Sequence, residues 1–204
     1  MARTVRNPGA RTRVIEAAWR VVAAEGVHQA TMRRIAAEAG VTTGFVTHYF
    51  DDKQSLVADA VRHNNRRASD RVAAGIGENR GLVALEAAVE AMLPIDADRR
   101  QEWQVGLACW GPTTPGEQAV EELRSGWRSL EKLLAMLLRQ AVDDDELPAA
   151  IDIDYEAGRL VALIAGVGML AGIESPARIR RDAKRMLVDQ IAVLAAGLKE
   201  SIRG

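Results

Sequence analysis

The chain has few residues that could cross-link it or hold a metal. Its single cysteine, Cys109, excludes an internal disulfide framework and a zinc site built from cysteines. The three histidines, His28, His48 and His63, are scattered, and no pair has the spacing of metal ligands. We therefore expect no metal site and no cofactor.

Aromatic side chains and long apolar runs are scarce as well. Aromatics make up 4% of the 204 residues, and abundant alanine favours closely packed helices over an aromatic-rich β-sandwich. The longest apolar stretch, residues 160–173, is about half Ala and Gly and shorter than the ~20 residues that cross a bilayer. The N-terminal sequence lacks the apolar segment of a secretory signal. We therefore expect no membrane association and a cytoplasmic location.

Hydrophobic residues still reach 48%, which is enough for a core and excludes wholesale disorder. The net charge of −1 hides an uneven distribution. Residues 1–67 carry 11 Lys and Arg against 6 Asp and Glu, whereas residues 68–204 carry 16 against 22. A basic N-terminal third suits an anionic partner such as nucleic acid, and a chance fluctuation is the alternative.

Helical periodicity dominates the chain, and strand-like alternation is nearly absent. Together with capping residues, glycines and prolines, this pattern predicts an all-α fold of about nine helices. A three-helix head is followed by a long fourth helix and a helical-bundle body. The expected helices cover residues 11–25, 32–39, 43–50, 53–74, 80–92, 97–110, 117–142, 154–172 and 176–199.

The segment 31–56 contains the most informative motif. Two short predicted helices flank a turn with Gly40, which is the spacing of a helix-turn-helix. On the second helix, Val46 and Phe50 form an inward edge. Its outward positions hold small hydroxyl residues, a glycine and a histidine, with Phe45 at the margin. Such a face fits a major groove and can donate hydrogen bonds to phosphates and base edges.

With these residues the chain resembles the tetracycline-repressor (TetR) family of transcriptional regulators. The resemblance covers residues 11–56, and its most specific part is the run Val41-Thr42-Thr43-Gly44, Val46, His48-Tyr49-Phe50, Lys53 and Leu56. It implies a DNA-binding domain over residues 1–54, including a basic arm, and a ligand-binding and dimerisation domain over residues 55–204. The implied protein is a homodimeric repressor that a small-molecule inducer releases from double-stranded operator DNA.

The resemblance also assigns DNA contacts. Thr43, Gly44 and Phe45 fall where the recognition helix of the family touches bases, and Thr47, His48 and Tyr49 where it mostly touches phosphates. Alternatively, His48 is a surface histidine and Tyr49 a core residue. The complete set of candidate contacts is Thr31, Arg33, Thr42, Thr43, Gly44, Phe45, Thr47, His48, Tyr49 and Lys53.

Arg34 departs from the family pattern, in which its position is usually acidic. A cation three residues after an N-cap opposes the helix dipole. Either a DNA phosphate compensates it, or the side chain is simply solvated.

The body contains a glycine-rich eighth helix with apolar residues on nearly every face, so it needs cover on more than one side. A second subunit would provide that cover, while a central helix of a monomer is the alternative. The candidate dimerisation residues on the last two helices are Gly166, Gly168, Leu187, Ile191 and Leu194.

Large aromatics in the body are candidates for the wall of a ligand cavity, although each could instead be a core or interface residue. They are Trp103, Trp110, Trp127 and Tyr155, with Leu107 between the first two. The run 45–50 and Trp110 resemble a branch of the family that represses betaine-synthesis genes and responds to choline. No acidic residue lies on the Trp103–Trp110 stripe, however, which favours a neutral or aromatic ligand over a cation.

Two other functions compete with the regulator. An all-α enzyme would need converging histidines or carboxylates, and no Glu-x-x-His pair is present. A protein-interaction module without DNA binding is disfavoured by the basic head and by Lys53.

Overall fold

A computed structural model describes the backbone of residues 8–110 and 116–201; the side chains at 8, 187–188 and 196–201 are outside the description. Within these ranges the chain forms nine helices and no strand, which confirms the predicted all-α fold. The helices are α1 Pro8–Gln29, α2 Met32–Ala39, α3 Thr43–Tyr49, α4 Lys53–Ile76, α5 Gly81–Met92, α6 Ala97–Ala108, α7 Glu117–Asp143, α8 Ile153–Leu170 and α9 Pro176–Ser201.

The predicted helix ends hold to within a few residues, except at the end of α1. Gly26 has φ 81° and ψ 168°, which interrupts the helix directly after residue 25, where the predicted helix ends. Helical structure then resumes and continues to Gln29, so Gly26 forms a kink within α1.

Two compact units make up the chain. As far as the chain is described, the first combines Met1–Arg67 with Gln101–Ser125, and the second combines Ala68–Arg100 with Gly126–Gly204. The predicted domain boundary at residues 54/55 lies inside the first unit, so the functional boundary stays a prediction. No helix in residues 8–110 and 116–201 is long and apolar enough to cross a membrane.

The core of the first unit is built on α1. One side of this helix is fully buried, and Ile15 and Trp19 beside it are buried as well. The fully buried residues on that side are Val14, Ala18, Val21 and Val22. Trp19 Nε1 donates a hydrogen bond of 2.8 Å to Asn64 Oδ1, which satisfies the indole in the interior. Val105, Cys109 and Ala119 from the 101–125 segment belong to the same buried cluster. The core of the head is therefore completed by residues from later in the chain.

The junction of α2 and α3 follows from Gly40. This glycine is left-handed, with φ 66° and ψ 35°. Its N–H donates to the carbonyl of Ala37 and the N–H of Val41 donates to that of Ala36, at 3.2 and 2.9 Å. This pair of bonds is the Schellman motif, which ends α2 sharply and lets α3 start three residues after Gly40.

The second unit holds the apolar body. Its fully buried side chains come mainly from α5, α7, α8 and α9 and from the connections that follow α5 and α7, and α8 and α5 both pack against α9. The largest of them are Leu85, Leu93, Leu134, Leu137, Leu138, Leu147, Leu160, Ile164 and Ile191.

The start of α5 is capped from a distant loop. Arg80, at the N-cap position, makes no capping hydrogen bond with its side chain. Glu146, from the acidic run after α7, instead accepts a 2.7 Å hydrogen bond from the backbone N–H of Leu82. Gly81 has φ 55°, and a Cβ there would lie 2.0 Å from Glu146 Oε2. Glu146 thus supplies the helix cap that Arg80 does not.

We expect Gly81→Ala to lower the free energy of unfolding more than Gly77→Ala. Both glycines have φ 55°, but a Cβ at Gly77 meets nothing within 4 Å. The methyl at residue 81 would displace Glu146 and break the capping bond, adding about 1–2 kcal/mol to the loss. Urea denaturation of the two variants measures the difference, and equal losses would show that Glu146 moves aside without cost.

Candidate nucleic-acid interface

The outer face of α3 is polar and accessible. Thr43, Gly44, Thr47 and His48 are exposed, whereas Val46 on the opposite side is fully buried. A Cβ added at Gly44 would meet only Thr42 Oγ1, at 4.0 Å, so this part of the face is open. Nothing on this face obstructs the approach of a duplex to the backbone of the helix.

Two threonines cap the helices of the motif. Thr42 Oγ1 accepts a 3.2 Å hydrogen bond from the N–H of Phe45, and Thr31 Oγ1 accepts one of 3.1 Å from the N–H of Arg34. In both cases the oxygen satisfies a helix-terminal N–H, and the hydroxyl hydrogen remains available to donate. Both side chains are exposed beside a helix N-terminus, where an anion is stabilised.

The two aromatic residues of α3, Phe45 and Tyr49, are partly buried against the core. Their ring centres are 5.2 Å apart. His48 is exposed and meets Tyr49 edge to face at 5.0 Å. Phe45 is therefore less accessible than a free groove-contacting ring, and Tyr49 combines a packing contact with a partly accessible ring.

Lys53 begins α4 and reaches back across the motif. Its Nζ donates a 3.2 Å hydrogen bond to the backbone carbonyl of His28, in the last turn of α1. This contact holds the ammonium beside the connection that leads to the N-terminus of α2. The preceding Asp52 caps α4 by accepting a 2.7 Å hydrogen bond from the N–H of Ser55, and this bond lowers the pKa of the carboxyl.

Arg34 has carboxylate partners within the protein, which the sequence did not predict. Its Nε donates to Glu25 at 3.0 Å, and its Nη1 donates to Glu38 at 3.2 Å. The hydrogen bond with Glu25 is the main reason that the pKa of this guanidinium is raised. Arg20 also binds Glu38, at 3.1 Å. These carboxylates offset the unfavourable helix dipole, and Glu25 lies on α1, where no local pattern in the sequence points to it.

All ten candidate DNA-contacting residues lie in the first unit. Seven are exposed, and Phe45, Tyr49 and Lys53 are half-buried; the exposed ones are Thr31, Arg33, Thr42, Thr43, Gly44, Thr47 and His48. The contribution of the segment 101–125 to the core of this unit was not predicted from the sequence. Gly116, with φ 95°, packs against the first turn of α4, where a Cβ would come within 3.2 Å of three carbon atoms of Gln54.

Two family models match the chain in succession. Residues 14–60 match the bacterial regulatory proteins of the tetR family, and residues 83–196 match the C-terminal domain of BetI-type transcriptional repressors. The chain belongs to the TetR family. This member is a transcriptional regulator with a DNA-binding N-terminal domain and a ligand-binding C-terminal domain, and it acts on operator DNA as a dimer.

Similar proteins extend over most of the chain. The regulator PksA of Bacillus subtilis is 28% identical over 196 residues, covering 94% of this chain and 92% of its own length. BetI of Vibrio parahaemolyticus is 26% identical over 182 residues, covering 86% of each chain. The crystal structure of a transcriptional regulator of Saccharomonospora viridis in complex with choline has a TM-score of 0.78 and 28% identity, covering 89% of this chain and 96% of that one. These relatives are transcriptional regulators.

In this TetR-family chain the predicted ligand residues divide between the two units. Trp103 is buried, Leu107 half-buried and Trp110 42% exposed, and all three belong to the first unit. Trp127 is half-buried, and Tyr155 is 63% exposed with the Arg159 guanidinium 5.8 Å from its ring centre; both belong to the second unit.

Cys109, next to Trp110, reads as a buried small hydrophobe. Burial raises the pKa of its thiol to about 11, so the thiol is protonated at neutral pH. No group of three His, Cys, Asp or Glu that could hold a metal ion occurs in the described part of the chain.

The predicted dimerisation residues differ in accessibility. Gly166 is exposed, and a Cβ there would meet nothing within 4 Å. Gly168 and Ile191 are buried within the second unit, and Leu194 is half-buried. The side chain of Leu187 lies outside the described residues.

We expect Lys53→Ala and Thr43→Ala to affect DNA binding differently. Loss of the Lys53 ammonium should weaken binding to all sequences and reduce the slope of log affinity against log salt by about one unit, because one phosphate contact is lost. Thr43→Ala should instead change the preference among sequences, because the predicted contact of this exposed residue is to bases.

Fluorescence anisotropy with the DNA upstream of the chain's own gene, and with point variants of that DNA, measures both effects. Lys132→Ala, which removes a lysine on α7, is the matched control and should leave the slope unchanged. Unaltered binding in both head variants would contradict the assigned contacts.

Proposed function

We propose that this chain is a cytoplasmic repressor whose homodimer leaves its operator when a small molecule binds the body. The observation that carries the proposal is the exposed polar face of α3, placed between two threonine caps and Lys53. The test is a gel shift of the chain with its own upstream DNA, repeated with candidate metabolites. Salt-insensitive retention, or none, would contradict it.

The head supplies two kinds of contact. Thr43, Gly44 and Phe45 are assigned to bases, because they occupy the exposed first turn of α3 and its margin. The hydroxyls and cations around them are assigned to phosphates, which position the helix in the groove. Those residues are Thr31, Arg33, Thr42, Thr47, His48, Tyr49 and Lys53.

An uncovered apolar stripe on α8 supports a dimer surface at α8 and α9. It runs along one side of the helix through Tyr155, Ala162, Gly166 and Met169, where Tyr155 and Met169 are 63% and 52% exposed. Ile173, in the turn that follows α8, is 82% exposed. On α9, Met186 and Val193 are likewise exposed at 49% and 64%. Apolar side chains that share one face mark an association surface, and the open Gly166 lets two backbones approach closely.

Gly166→Leu should disrupt the dimer and give a monomer or an aggregate, because the new side chain separates the two backbones. Gly106→Leu is the matched control, since a Cβ at that helical glycine of α6 also meets nothing within 4 Å. Light scattering at micromolar concentration measures the mass. A monomeric wild-type protein, or a dimeric Gly166→Leu variant, would argue against this surface.

For the ligand we infer a mostly apolar cavity with Trp110 on its wall and Trp103 and Leu107 of the same unit nearby; Trp127 and Tyr155, in the second unit, are separate candidates for ligand contact. The choline complex of the Saccharomonospora viridis regulator makes a small cation one candidate. Against a cation, Glu102, the buried carboxylate next to Trp103, already binds the Arg67 guanidinium at 3.2 Å. A cation would have to compete with that ion pair, so we favour a neutral or aromatic small molecule.

The ligand would act through α6, which carries Trp103 and Leu107. The 101–125 segment, which contains most of α6, is part of the compact unit that includes the head, so its displacement changes the packing of that unit. A coupling of about 1–3 kcal/mol would change operator affinity roughly 5- to 150-fold. By reciprocity, operator DNA weakens ligand binding by the same factor.

Trp110→Ala should reduce the response to the inducer and leave dimerisation and DNA binding intact, because it removes one wall of the cavity. Tryptophan fluorescence titrated separately with choline and with a neutral aromatic compound distinguishes the two ligand classes. Trp127→Ala tests in the same way whether this residue of the second unit contacts the ligand. A Trp110→Ala variant with an unchanged response would leave Trp110 as a packing residue only.

A further inference from the structure

Asp59 is a buried carboxylate in the middle of the first unit. It lies on α4 and is 8% exposed, and it binds two guanidiniums. One belongs to Arg11 on α1, and the other to Arg62 one turn further along α4. A buried carboxylate that two arginines share holds both side chains in place, since releasing either one leaves charge poorly compensated in the interior.

On one side the ion pairs continue into α7. The Arg62 Nε donates a 3.0 Å hydrogen bond to Glu122 Oε1, which lies in the part of α7 that belongs to the same unit. Asn65 Nδ2 donates a second bond, of 2.7 Å, to the backbone carbonyl of Glu122. Glu122 is therefore held to α4 through both its side chain and its backbone.

On the other side, Arg11 contacts the residue that ends the recognition helix, α3. The Arg11 guanidinium lies over the ring of Phe50, 5.0 Å from its centre. Phe50 is 3% exposed and is the C-cap of α3, where its N–H donates a 3.0 Å hydrogen bond to the carbonyl of Val46. Movement of Arg11 would therefore alter the packing of the residue that ends α3.

We propose that the series Glu122–Arg62–Asp59–Arg11–Phe50, the Asp59 relay, positions the recognition helix relative to α7, with Asp59 as its central positioning residue. The inference rests on the proposed function, because it concerns how the operator-binding helix is held. None of the five residues is among the candidate DNA contacts. Their effect on operator binding is indirect, through the orientation of α3.

A double-mutant cycle in the full-length protein tests the relay. Arg11→Gln and Glu122→Gln each remove one end, and fluorescence anisotropy with the chain's own upstream DNA gives the affinities. We expect each variant to weaken binding about fivefold and the pair also about fivefold, whereas independent sites would multiply to about 25-fold. In the Asp59→Asn background the coupling between the two ends should disappear.

Two readouts separate this role from simpler ones. Arg11→Gln should leave the salt slope unchanged, whereas loss of a direct phosphate contact would reduce it by about one unit. Glu121→Gln is the matched control on α7, because Glu121 forms an ion pair with Arg124 on the same helix. Combined with Arg11→Gln, it should give multiplicative effects.

Multiplicative effects of the Arg11 and Glu122 variants, or a reduced salt slope for Arg11→Gln, would overturn the proposal. Circular dichroism checks that the variants are folded. If one of the variants is not folded, the same assay compares Arg62→Lys with Arg62→Gln. The proposal then requires that the lysine variant binds the operator more tightly, because it keeps the positive charge. Wild-type protein without salt-sensitive DNA binding would instead refute the proposed function, and this inference with it.

Discussion

The apolar contact between the 101–125 segment and the core of the head is the constraint on which the rest of the first unit depends. Val105, Cys109 and Ala119 are buried in the same cluster as the interior of α1 and the first half of α4. A Cβ at Gly116 would lie only 3.2 Å from carbon atoms of Gln54. Because interiors are closely packed, the segment cannot shift without moving its neighbours. Three of the candidate ligand residues, Trp103, Leu107 and Trp110, therefore belong to the same unit as the helix-turn-helix.

The threonines that cap the helices of the helix-turn-helix are also among the proposed DNA contacts. Thr31 and Thr42 use their oxygens as helix caps, which also fixes their hydroxyls next to the N-termini of α2 and α3. A ready-placed donor loses little conformational entropy when it meets a phosphate. Lys53 is likewise held in place before DNA arrives, through its hydrogen bond to the carbonyl of His28.

The number of basic residues in residues 1–67, 11 Lys and Arg, is larger than the number of cations available to DNA. Several arginines of this region bind carboxylates of their own unit, among them Arg11, Arg34 and Arg62. Such pairs hold helices together and leave fewer cations for phosphates. The composition of the head therefore indicated the sign of its partner, whereas the fold selected which cations can reach it.

The sequence by itself determined the nine helices, the turn at Gly40 and the accessible polar face of α3, because periodicity, capping and glycine chemistry act over a few residues. Only the tertiary structure decided the partners of Arg34, the cap that Glu146 gives to α5 and the burial of Gly168 and Ile191. The cap and the burial depend on contacts between elements far apart in the chain, and the Arg34–Glu25 ion pair depends on how α1 packs against α2. Local pattern shows that a side chain is charged or apolar, but which distant residue meets it is set by how the helices pack.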